Sequence, residues 1–227
     1  MAAVNTEIWQ MLVMRKKAFA KAMAIPVNEN GERFIYFEAS NEGIDQQGEC
    51  ILASALKDSV DTFLKFGNID IDHYTQIGAK MGIKDYQAYE VGQPEAVIFE
   101  GERTLVKARL YAGDTPMAAR ADELWASLTQ LNPPAKWYPS VGGAILDKHQ
   151  ETDGKTGKTC TIITSVRWTN VGLSRTPVNQ HLPTVTAAPE GVFLKLFSAS
   201  GGNAPVPATG AAFRKQSLDK RKLFASL

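Results

Sequence analysis

Asn68-Ile69-Asp70-Ile71-Asp72-His73-Tyr74-Thr75-Gln76-Ile77-Gly78 opens with alternating polar and apolar side chains, the period of a half-buried strand. Carried through His73, that strand puts Ile69, Ile71 and His73 on one face and Asp70 and Asp72 on the other. A histidine then arrives where a third isoleucine would fit the pattern better. The chain has three histidines, and the other two, His149 and His181, sit in polar or loop-like segments. An imidazole on an apolar face is either a core group bonded to a backbone carbonyl or a general base, because its unperturbed pKa lies near neutral pH.

Outward from this strand the pattern is mostly β, with helices between. Arg33–Ala39 and Cys50–Leu52 read as strands, and Ser54–Lys65 as a helix with Leu56, Val60, Phe63 and Leu64 on one face, stopped by Gly67. Ile83–Ala88, Glu95–Phe99 and Thr104–Tyr111 are β-type, the last two joined by a Gly101-Glu102 turn. A helix capped by Asp114 or Thr115, with Pro116 in its first turn, runs to about Leu131. Trp137–Leu146 and Thr159–Thr169 are strands, with Lys148–Lys158 a polar loop between them. The expected fold is α+β: a mainly antiparallel sheet or barrel surrounded by helices.

The ends differ from this core. Glu7–Ile25 reads as an amphipathic helix with Arg15, Lys16 and Lys17 interrupting its apolar positions, which is not a secretory signal pattern. Ala, Gly, Ser and Pro dominate Ser198–Ala212, the composition of a flexible linker. Phe213–Leu227 is basic, with Arg214, Lys215, Lys220, Arg221 and Lys222 against Asp219. The expected organisation is therefore an N-terminal helix (1–25), a core (26–184) and a flexible linker with a basic tail (185–227).

Bulk properties narrow the function. The 227 residues carry 44% hydrophobic content and a net charge of +1, so the chain as a whole has no strong field for nucleic acid. No apolar run is long enough to span a membrane. Cys50 and Cys160 lack metal-type spacing and read as buried thiols. There is no HExxH, and His149 and His181 have no ligand spacing, so neither a metal nor another cofactor is expected.

Ser140, in Trp137-Tyr138-Pro139-Ser140-Val141-Gly142-Gly143, stands before two glycines where backbone can approach a ligand closely. A nucleophilic serine needs a base in reach and a group that orients that base. On a regular strand Asp70 and Asp72 face away from His73. Asp45, in Ile44-Asp45-Gln46-Gln47-Gly48-Glu49, has suitable chemistry but is equally an Asp closing a turn. Asn170 can orient an imidazole but cannot compensate its charge.

Taken in order, the Asp45 turn, Ile71-Asp72-His73 with Ile77-Gly78, Ser140-Val141-Gly142-Gly143, and Asn170-Val171-Gly172-Leu173-Ser174-Arg175-Thr176-Pro177-Val178-Asn179 resemble the tailed-phage prohead maturation proteases. That group includes the capsid-scaffold proteases of P2-like phages and is similar in fold to the herpesvirus assemblins. The resemblance covers about Phe34–Asn179. It implies an assemblin-like fold and a serine endopeptidase acting on phage scaffold and major capsid proteins, and on itself as a further candidate substrate. Ser140 is then the nucleophile, His73 the base and Asp45 the third member, with Asn170 the alternative because other members carry an acid there. The oxyanion donor is a backbone amide beside Arg175.

The implied setting is the host cytoplasm, inside the assembling prohead, with self-association and neither nucleic acid nor membrane as partner. The tail reads either as a tether to scaffold or shell, or as a disordered terminus. The competing reading is a non-enzymatic capsid scaffold or assembly protein with an inactive protease-like fold. An esterase is disfavoured because Ser140 lacks a Gly-x-Ser-x-Gly elbow.

Overall fold

The computed structural model describes residues 31–152, 157–187 and 195. The expected N-terminal helix and the linker and basic tail beyond Ala187 lie outside the described residues, Lys195 apart.

Seven strands form one curled, mixed sheet: β1 (Phe34–Ser40), β2 (Glu49–Ile51), β3 (Asn68–Ile71), β4 (Glu90–Glu100), β5 (Arg103–Leu110), β6 (Tyr138–Thr152) and β7 (Thr159–Ser174). β1, β5, β4 and β3 pair antiparallel in that order, and β3 then pairs parallel with β7. The long β7 organises the rest. β6 follows one edge of it antiparallel, while the other edge is shared, parallel, by β2 at Thr161–Ile163 and β3 at Asn170–Leu173. The expected α+β class and mainly antiparallel pairing hold, with two parallel pairings added at the centre. Beyond β7 the segment 185–187 ties β1 to the start of β6. Tyr36 and Thr186 exchange backbone hydrogen bonds of 2.8 and 3.0 Å, and Val185 N–H donates to the Trp137 carbonyl at 2.8 Å.

Between β2 and β3 the chain crosses over as two helices, α1 (Ala53–Asp58) and α2 (Val60–Phe66), not the single helix that the apolar spacing predicts. The break is Ser59, whose hydroxyl accepts the Trp168 backbone N–H at 2.8 Å. That N–H lies on the part of β7 between the two parallel neighbours and has no ladder partner there. A buried orphan donor is costly, so the helix yields to satisfy it. Leu56, Val60 and Phe63 still reach the core, where Phe63 stacks on Trp168 with centroids 3.8 Å apart.

Three further expectations are corrected. Ile83–Ala88 is not a strand but turns and a 3₁₀ segment (Tyr86–Tyr89), with its N–H groups satisfied locally: Ile83 to the Gly78 carbonyl and Ala88 to that of Asp85. Lys148–Thr152 is not loop. It is ladder, paired out to Thr152 opposite Thr159, polar because it is exposed. Most consequential, β3 ends at Ile71. Asp72 and His73 take left-handed conformations with φ of 52° and 59°, and Tyr74–Ile77 follows as a helical turn, α3. Helix α4 (Pro116–Thr129) starts as expected, with the Thr115 hydroxyl accepting the Ala118 N–H at 3.1 Å.

Candidate active site

Directly opposed residues on neighbouring strands share a face of the sheet. The pairs Asn68–Asn170, Asp70–Gly172, Ser140–Gly172 and Gly142–Asn170 therefore place Asn68, Asp70, Asn170, Gly172, Ser140 and Gly142 on one face across β3, β7 and β6. The intervening Ile69, Val171 and Leu173 are fully buried on the other side, in the main core. One sheet thus has an apolar face and, directly behind it, a patch of amides, a carboxylate, a hydroxyl and glycines.

His73 belongs to the polar face. A regular strand through His73 would send its ring toward the core with Ile69 and Ile71. The left-handed pair Asp72–His73 turns the chain over instead, and the imidazole lies across Gly172 and Gly142. A Cβ on Gly172 would come within 2.8 Å of three ring carbons, and one on Gly142 within 2.8 Å of Nδ1. Both glycines are needed for that close approach.

The residue that touches the imidazole is Asn170, whose Oδ1 lies 2.5 Å from His73 Nδ1. Asn170 is fully buried. It sits next to a register shift between β6 and β7, where Gly142 faces Asn170 but Gly143 faces Trp168. The extra residue, Thr169, lets Trp168 enter the core while Asn170 turns to the site, although two positions apart they would share a face on a regular strand.

Asp45 is close by but differently engaged. Its Oδ1 accepts the N–H groups of Gln47 at 2.8 Å and Glu49 at 2.9 Å, closing its own turn over Gly48, which has φ of 75°. That turn is tied to the far loop, where Gln46 N–H donates to the Val178 carbonyl at 3.0 Å and Asn179 Nδ2 to Asn41 Oδ1 at 3.1 Å. Asp45, His73, Gln76, Ser140, Gly142 and Asn179 are among the residues that line a single open cavity of about 350 Å³. The structure therefore brings Ser140, His73 and Asp45 to one cavity, with Asn170 beneath the imidazole. Arg175 does not line that cavity. Its guanidinium lies over the Trp137 ring at 5.0 Å.

Two acids near the site are not among the residues that the sequence reading selects: Asp70, set aside by alternation, and Glu90. Asp70, which alternation places away from His73, is fully buried and shares its face with Asn170. Its Oδ2 accepts the Thr75 N–H at 2.8 Å and the Thr75 hydroxyl at 2.6 Å. Its Oδ1 makes no well-formed hydrogen bond, although the Asn170 amide is close enough to ease its charge. Burial raises the Asp70 pKa, and the Thr75 bonds, the Asn170 amide and the His73 imidazole offset this only in part. Glu90, at the start of β4 opposite Asp70, accepts from Asn68 Nδ2 at 2.9 Å and from the Tyr111 hydroxyl. Burial and then this carboxylate push the Tyr111 pKa up, so its phenol stays protonated and donates. The Asn68–Asp70 spacing was visible in the sequence, but nothing local signals Glu90, which comes from another strand.

Both cysteines are buried and free, and burial first pushes the Cys50 thiol up to about 12, which makes it unreactive. Among the described residues, no group of three or more His, Cys, Asp or Glu could hold a metal ion. Comparison with known proteins finds no matching family model, no matching curated protein and no matching solved structure.

Proposed function

We propose that this chain is a serine endopeptidase of the prohead-protease type, with Ser140 as nucleophile, His73 as base and Asn170 as the group that orients the base. The observation that carries the reading is the seating of His73. Its Nδ1 is held by the Asn170 carbonyl oxygen, and its ring lies over two glycines in the cavity that Ser140 also lines. A ring held at Nδ1 by a carbonyl keeps its proton there and leaves the Nε2 lone pair free to accept one. An asparagine carbonyl serves this purpose in Cys-His-Asn proteases.

In the reaction His73 Nε2 takes the Ser140 proton as Oγ attacks a peptide carbonyl carbon. The tetrahedral intermediate collapses as the imidazolium returns that proton to the leaving amine. Water, activated by the same nitrogen, then hydrolyses the acyl-enzyme and regenerates Ser140. Phage scaffold and capsid proteins within an assembling prohead are the proposed substrates, on the resemblance alone. Tethering by the basic tail belongs to the same proposal and concerns residues outside those described.

Ser140→Ala and His73→Ala should each lower cleavage of a scaffold or capsid substrate by roughly 10³-fold or more, non-additively in the double variant. Undiminished cleavage by Ser140→Ala overturns the reading.

A second reading, a non-enzymatic assembly protein on a protease-like fold, is favoured by one observation. The group behind His73 is a neutral amide, which cannot compensate an imidazolium as a carboxylate does. An organophosphonate probe separates the two: an activated Ser140 is labelled in wild type and not in His73→Ala, whereas an inert one is labelled in neither.

A further inference from the structure

An asparagine can hold a catalytic histidine usefully in only one of its two orientations. If the amide presents Nδ2 instead of Oδ1, it stabilises the opposite tautomer, with the proton on Nε2 and no lone pair toward the serine. Nothing in Asn170 itself decides between the two. Its partners do.

Asn170 Nδ2 donates to Asn68 Oδ1 at 2.8 Å, and Asn68 Nδ2 donates in turn to Glu90 Oε2 at 2.9 Å. An ionised carboxylate only accepts. Asn68 must therefore turn its NH₂ to Glu90 and its carbonyl to Asn170. Asn170 must then turn its NH₂ to Asn68 and its carbonyl to His73. Asp70 adds only a weak, long contact in the same sense. Its Oδ2 accepts the Thr75 hydroxyl proton, which leaves Thr75 Oγ1 to accept from Asn68 Nδ2 at 3.4 Å. Flipping Asn68 sets its carbonyl oxygen against the Glu90 carboxylate, and flipping Asn170 alone sets its carbonyl oxygen against that of Asn68.

We infer that Asn68 and Glu90 are positioning residues: they form a one-way amide relay, Glu90–Asn68–Asn170–His73, that fixes the imidazole proton on Nδ1 and ends in the negative charge that Asn170 itself lacks. The inference rests on the reading of His73 as base, but the tautomer it sets is observable without catalysis. The relay follows the sheet, because Asn68 and Asn170 are opposed on β3 and β7 and Glu90 stands opposite Asp70 on β4. It is assembled by strand register and not by a local motif.

The test is the ¹⁵N spectrum of the full chain labelled at histidine, with His73 assigned by its loss in His73→Ala, above the pH at which the ring deprotonates. Wild type should show the Nδ1–H tautomer. Glu90→Gln removes the acceptor-only terminus, since its amide satisfies Asn68 in either orientation, and should give a mixture of tautomers. Asn68→Asp sets two carboxylates against each other and should disturb the ring further. The double variant Asn68→Asp with Glu90→Gln restores a single sense: the introduced glutamine amide donates to the introduced carboxylate, which also accepts from Asn170 Nδ2. It should bring back the Nδ1–H tautomer.

If the chain cleaves peptides, Glu90→Gln should lower kcat about tenfold with KM unchanged. The double variant should recover activity, with the acidic limb of its pH profile moved to higher pH because the charge now stands one link closer to His73. An Nε2–H tautomer in wild type, or a tautomer indifferent to Glu90→Gln in a folded protein, overturns the relay whatever the activity. A correct tautomer in a chain that cleaves nothing supports the relay and counts against the endopeptidase.

Discussion

Leu173 and Gly172 are neighbours on β7, yet they serve opposite sides of the molecule. On one side Leu173 joins Ile69 and Val171 in a core that excludes water. On the other, Gly172 leaves the space in which an imidazole lies against the backbone, beside Asp70, Asn170 and Ser140. The backbone ladder is common to both. What differs is how each face offsets burial: the apolar face by transfer of carbon from water, the polar face by pairing donors with acceptors one at a time. The apolar face tolerates rearrangement, since carbon contacts are non-directional. The polar face does not, because one reversed amide leaves buried groups opposed.

Substitutions on adjacent residues should separate these two modes of burial. Leu173→Ala empties a fully buried site and should lower stability by about 3 to 4 kcal/mol in urea unfolding. The cavity-lining residues should keep their geometry, so that substrate turnover per folded molecule changes little. Gly172→Ala should do the reverse. Its Cβ would meet the His73 ring at 2.8 Å, a side chain that can swing away, so folding is nearly preserved. If His73 is the base, as proposed, its displacement should lower turnover by about 100-fold. A Gly172→Ala variant as active as wild type would mean that the imidazole does not work from its seat on the glycines. A Leu173→Ala variant that loses activity beyond its loss of folded protein would mean that the two faces are coupled.

The same division explains what could be read from the sequence. The apolar face was legible because hydrophobic periodicity is local: Arg33–Ala39, Thr104–Tyr111 and Thr159–Thr169 announce themselves as strands, and Leu56, Val60 and Phe63 fall on a helical face. Ser140, His73, Asp45 and Asn170 were candidates because glycines, turns and rare residue types mark them, and the structure gathers all four at one cavity or directly beneath it. The direction of His73 was not legible. Alternation in Asn68–Asp72 predicts that the strand continues, and only the left-handed pair Asp72–His73 reverses it. Ser59 was hidden for a similar reason, since its break serves an N–H on a strand more than 100 positions away. Glu90 and its relay depend wholly on register, which no stretch of sequence shows in isolation.

The smallest of these effects tests how the polar face carries charge. Asp70 is fully buried, its pKa is raised by burial above the usual 3.8, and one of its oxygens lacks a well-formed hydrogen bond. A carboxyl raised in the folded state binds its proton more tightly there than in the unfolded chain. As pH rises, the unfolded chain releases the proton first, so stability falls between the ordinary carboxylate value and the raised one, and the full penalty stands above both. Asp70→Asn keeps an acceptor for the Thr75 N–H and hydroxyl and removes the titration. Its stability relative to wild type should therefore increase as pH is raised from below 3.8 towards neutrality, then level off. The comparison is of urea midpoints for the two proteins across that range. A difference that instead falls with rising pH would mean that His73 and Asn170 more than compensate the buried charge. The predicted rise would mean that this carboxylate is kept against the interest of folding, on the face where a buried charge is in position to act on His73.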